Sequence, residues 1–135
     1  MCHISKRSFK DPILYSNMVF LFASMFVFVR NDILYAFIAF FNFIVSGRYH
    51  YYGENRYRLA DSLVSKMSVG IFLYDMVRLW GVNPVISWIN FMCNLLPLVY
   101  CFYMSRVYRE RAYELLHIGV HWFATMHAIC VHLLK

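Results

Sequence analysis

Charge is what this sequence has least of. Only 15% of its 135 residues are Asp, Glu, Lys or Arg, against about 25% in soluble domains. A chain so short of polar side chains cannot coat a water-facing globule. The motifs of soluble nucleotide and acyl chemistry are missing too: no glycine-rich phosphate loop, no P-loop and no Gly-x-Ser-x-Gly elbow. The four cysteines, Cys2, Cys93, Cys101 and Cys130, show neither CxxC spacing nor a pairwise framework. Three of them fall inside apolar runs and read as reduced, small packing residues. There is no internal repeat and no low-complexity linker.

Apolar and aromatic residues fill the gap, at 61% and 20% of the chain, with 13 Phe and 11 Tyr. They are gathered into five runs: 13–29, 33–52, 60–80, 84–104 and 112–134. Each is long enough, at 1.5 Å per helical residue, to cross about 30 Å of hydrocarbon. Asn83-Pro84 is a helix-start signal for the fourth. The first run follows the basic leader SKRSFK, as a secretory signal would. It is longer than a signal core and lacks a small-x-small cleavage site, so it reads as a mature span. The expected fold is all-α: one transmembrane domain, 1–135, forming an integral membrane bundle of about five helices.

The formal charge of +6 does not point to nucleic acid, because the basic residues flank the apolar runs rather than forming a patch. Their distribution sets the expected orientation instead. Lys6, Arg7, Lys10, Arg48, Arg56, Arg58, Lys66, Arg106, Arg109 and Arg111 fall on one side, and Arg30, Arg78 and Lys135 on the other. The richer side is cytosolic by this rule, which puts the N-terminus in the cytosol of a multi-pass protein and leaves the organelle open.

Ionisable residues at membrane depth are costly, so each asks for a partner or a role. His117 and His121 are spaced i, i+4 on one face of the fifth run. Ser46 and His50 share the same spacing at the end of the second, and Asp61 begins the third. The topology carries all five to the cytosolic face. Three imidazoles, a carboxylate and a hydroxyl are the groups of a catalytic zinc centre, in which three protein ligands leave a fourth position for water. In that role His50, His117 and His121 are the metal ligands. Asp61 accepts the water's proton, and Ser46 orients His50 or a developing oxyanion. A haem held by facing histidines, for example His50 with His121, uses the same residues. So does a set of interior histidines with purely structural hydrogen bonds.

The pattern Ser46-x3-His50-x10-Asp61, with His117-x3-His121 near the C-terminus, resembles the CREST superfamily of membrane hydrolases. That group includes alkaline ceramidases, GPI-lipid remodelling proteins, and the progestin and adipoQ receptors. The stretch SGRYHYYGENRYRLAD is most similar to the ceramidase and lipid-remodelling branches, and YSNMVFLF (15–22) resembles the first core span of ceramidases. LADSLVSKMSVGIFLYDMVRLW, with Tyr74 and Arg78 late in the run, resembles the lipid-remodelling branch. The resemblance implies Zn2+ on His50, His117 and His121, with Asp61 and Ser46 beside it and a lipid amide or ester as substrate. Three departures mark the chain. The family has seven spans where five runs are found here, and the N-terminal stretch MCHISKRSFKDP is basic where alkaline ceramidases bind calcium through acidic residues. Ser62 stands where ceramidases carry a glutamate.

A non-catalytic membrane scaffold on the same fold is the alternative, and self-association is a means of closing a shortened bundle. His127 and His132 lie away from the ligand pair and read as locally hydrogen-bonded. Asp75 and Arg78, at i and i+3, read as a local ion pair, and Lys66 as a snorkelling side chain. The terminal Cys2 and His3 are assigned no metal.

Overall fold

Asp11 and Pro12 set the start of the first helix. The Asp11 carboxylate accepts the Ile13 N–H at 2.9 Å, and Pro12 occupies the first turn, where its missing N–H costs nothing. In this computed structural model residues 11–52, 55–108 and 110–134 are described. Lys6, Arg7, Lys10, Arg109 and Lys135 of the charge distribution, and Cys2 and His3, lie outside the described residues. All the described structure is helical, with no strand among the described residues. We number five rods: α1 Pro12–Val29, α2 Ile33–Tyr52, α3 Asn55–Val82, α4 Pro84–Val107 and α5 Glu110–Leu133. Each apolar run of the sequence matches one rod, the fifth rod ending at Leu133, one residue before its run does. Among the described residues two helices, α1 and α4, are long and apolar enough to cross a membrane by length and composition.

The chain divides into two compact units, 1–68 and 69–135, with the boundary inside α3. In the first unit α1 packs on α2. Ala23, Ala36 and Ala39 are buried there, small residues that let helix backbones approach closely. Two side chains tie the pair together: Asn17 Nδ2 donates to the Phe43 carbonyl at 2.7 Å, and Ser24 Oγ to the Ala36 carbonyl at 2.8 Å. Asn42 Nδ2 then donates to Ser68 Oγ on α3 at 2.7 Å. The α1–α2 turn is Arg30-Asn31-Asp32. Asn31 sits at φ 63°, the Asp32 N–H reaches back to the Val27 carbonyl, and the Asp32 carboxylate caps α2 through the Tyr35 N–H. Asparagine visits this left-handed region more readily than most residues.

In the second unit α4 packs on α5, burying Leu95, Leu98 and Cys101 of α4 and Ala124, Ala128 and Val131 of α5. Asn83 caps α4 as expected, accepting the Ile86 N–H ahead of Pro84. Within α4, residues Phe91–Leu95 form a turn of π-helix in which the Leu96 N–H bonds the Phe91 carbonyl. Pro97 follows at once and has no N–H to offer the turn below it, a common origin of such local widening. Large apolar side chains remain exposed on both units, including Phe22, Phe28 and Phe37 in the first and Val85, Trp88 and Tyr103 in the second.

The Asn31 conformation gives a direct test. Asn31→Gly should leave thermal stability in detergent unchanged or slightly raised, and Asn31→Val should lower it by about 1–2 kcal/mol. A valine variant as stable as the parent would contradict the positive φ.

Candidate functional site

Ser46 and His50 sit one turn apart on α2, both 4% exposed, because positions four apart share a helix face. The Ser46 side chain neighbours the Asp61 carboxylate of α3. The side chain of His50 also lies against Tyr49, ring centroids 4.9 Å apart. On α5, His121 is buried and His117 half-buried. Their rings meet edge to face at 4.9 Å, and His117 stacks on Tyr113 at 5.4 Å.

His50 in the first unit, and His117 and His121 in the second, are three imidazoles that could serve as metal ligands. The donor chemistry suits a metal ion, since neutral imidazoles are good ligands for the divalent transition metals and for zinc above all. Within the first unit Ser46 and Asp61 are neighbours, with His50 one turn from Ser46 on the same helix.

Two positions that the sequence did not single out shape the surroundings. Gly119 lies between His117 and His121 on α5, and a Cβ there would stand 2.9 Å from Cys101 Sγ on α4. The glycine therefore lets the ligand-bearing helix approach α4 at that level. A Cβ at Gly47, between Ser46 and His50, would meet Asn17 Nδ2 at 3.0 Å. Both are glycines inside otherwise helical apolar runs, the one trace in the sequence of a close approach.

His127 and His132 are both fully buried, at 0% and 1% exposure; each has one ring nitrogen in a hydrogen bond, while His127 Nε2 is buried with no hydrogen-bond partner. His132 Nδ1 lies 2.8 Å from the Ala128 carbonyl one turn back. Asn94 Nδ2 donates to Asn90 Oδ1 at 2.8 Å, and Asn90 Nδ2 to His127 Nδ1 at 3.1 Å. The His127 ring packs 4.6 Å from Phe72. The sequence signal was Asn90-x3-Asn94, two amides on one face of an apolar run. Asp75 is 3% exposed and lines a cavity of about 150 Å³ with Arg78. Cys93, Cys101 and Cys130 are free thiols.

The chain matches no protein-family model, no curated protein and no solved structure.

If Gly119 admits Cys101 as described, Gly119→Ala should cost about 1–3 kcal/mol of stability through overpacking. Adding Cys101→Ala should restore most of it, because the sulfur is the atom in the way. Thermal unfolding of both variants in detergent checks this. A double variant no more stable than the single one would contradict the contact.

Proposed function

We propose that the chain is a multi-pass integral membrane hydrolase of five spans with its N-terminus in the cytosol. On this reading it uses Zn2+ held by His50, His117 and His121 to cleave a lipid amide or ester. What supports the metal is the set of three imidazoles, with His117 and His121 paired on one face of α5 and His50 buried one turn from Ser46 on α2; what supports hydrolysis is the neighbouring carboxylate and hydroxyl of Asp61 and Ser46. The membrane reading rests on the scarcity of charge, the two helices apolar enough to span, and the placement of the basic residues between the runs.

When bound, zinc supplies Lewis acidity, which polarises a carbonyl and brings the pKa of water toward about 7. The remaining work falls to the chain's own side chains. His50 and His121 are buried, which restricts exchange with bulk water and strengthens local electrostatics. Ser46 stands beside Asp61, where its hydroxyl can donate to the ionised carboxylate. Asp61 then takes the proton that water loses as it attacks the carbonyl carbon, and returns it to the leaving amine or alcohol. Hydrolysis is balanced by water alone, with no oxidant or second substrate.

The test combines metal content with turnover. Purified protein should carry about one zinc per chain by native mass spectrometry, and His50→Ala, His117→Ala and His121→Ala should each lose it. Asp61→Asn should keep the zinc and lose about 10²–10⁴-fold in turnover on an amide or ester lipid panel. Protein without zinc would end the proposal, and a Soret band would replace the metal ion with haem. Zinc at full occupancy without turnover on that panel would reassign the chain as a non-catalytic scaffold.

A further inference from the structure

Apart from the histidine group, the first unit contains a groove along α1 and α2 with a volume of about 500 Å³. This is within the range of small-molecule sites, roughly 300–1,000 Å³. Its walls are mostly apolar, with Leu14 and Met18 from α1 and Phe43 and Ile44 from α2. Two polar features interrupt them, and both are specific.

The first is Asn17, which lines the groove and is 1% exposed. Its amide nitrogen is used by the Phe43 carbonyl, but its Oδ1 is buried with no hydrogen-bond partner. A buried acceptor left unsatisfied is costly, so a ligand able to donate a hydrogen bond there gains an advantage. The side chain is held in place by Gly47, whose missing Cβ leaves room for the Asn17 amide. The second is Arg48, the next residue along α2, exposed and lining the same groove. A guanidinium has a fork of donors matched to phosphate oxygens. Tyr51 and Tyr52 complete this end, and tyrosines favour the membrane–water interface.

We propose that this groove binds a single-chain anionic lipid with a free hydroxyl beside its phosphate. The acyl chain lies along Leu14, Met18 and Ile44, the phosphate meets Arg48, and the hydroxyl donates to Asn17 Oδ1. The volume is on the scale of a small single-chain ligand. The second apolar groove on this unit, lined by Leu21, Phe28 and Phe40, has no comparable recognition. Its polar group, Ser24, donates to the Ala36 carbonyl. The proposal rests on the membrane reading above but not on the zinc or the hydrolysis.

The experiment is a native mass spectrometry titration of the detergent-purified full chain with palmitoyl lysophosphatidic acid. Its comparators are the lysophosphatidylcholine of equal chain length and the lysophosphatidic acid analogue lacking the glycerol hydroxyl. The parent chain should bind lysophosphatidic acid about tenfold more tightly than either. Arg48→Gln, at an exposed position, should abolish the preference over the choline lipid. Ile44→Trp, which fills the groove, should weaken all three by about tenfold or more. Equal binding of the three lipids by the parent, a preference that survives Arg48→Gln, or an unaffected Ile44→Trp variant would each overturn the proposal. Zinc adducts are read in the same spectra, so failure of the metal reading shows separately. Recovery of the chain in the soluble fraction without detergent would identify failure of the membrane reading.

Discussion

The structure depends on short polar side chains that hydrogen-bond across neighbouring helices. In a chain with so little charge, apolar packing alone gives helices few reasons to prefer one register over another. An amide or hydroxyl placed inside must find a partner or pay desolvation. Asn17 and Ser24 fix α1 against α2, and Asn42 joins α2 to the first half of α3. In the second unit Ser87 Oγ donates to the Met76 carbonyl, linking α4 to the later part of α3, and Asn90 joins α4 to α5 through His127.

Seen this way, the histidines of α5 divide by partner. His127 is held by the Asn94–Asn90 relay and His132 by its own helix backbone, so each has an imidazole nitrogen engaged in structure. His117 and His121 instead face one another along one side of α5. Glycine acts in the same region by absence. Gly119 admits the Cys101 sulfur beside the ligand pair, and Gly47 admits the Asn17 amide beside Ser46. Each removes a side chain where a neighbouring polar or sulfur atom comes close.

Much of this was legible in the sequence where the signal is local. The rods follow the apolar runs, Asn83-Pro84 opens α4, and the i, i+4 spacings identify Ser46 with His50 and His117 with His121. The boundaries shift outward, most in α3, which begins at Asn55 rather than near residue 60 because the basic stretch NRYRL is compatible with helix although too polar to count as an apolar run. What was not legible is long-range. Nothing in a run of residues tells that Asn17 reaches Phe43, that Asn90 meets His127, or that Cys101 lies against Gly119. Such contacts join positions many residues apart, and one sequence carries no record of the pairing. The π-turn at Phe91–Leu95 is an intermediate case, since Pro97 announces a disturbance but not its form.

The central claim is that three imidazoles from α2 and α5 form one metal centre. X-ray absorption at the zinc edge of the purified protein reads this directly, because it reports the type, number and distance of the ligands. The account predicts three nitrogen scatterers with imidazole character at about 2.0–2.1 Å and no sulfur. A shell of sulfur at about 2.3 Å, or a zinc surrounded by oxygen alone, would contradict it.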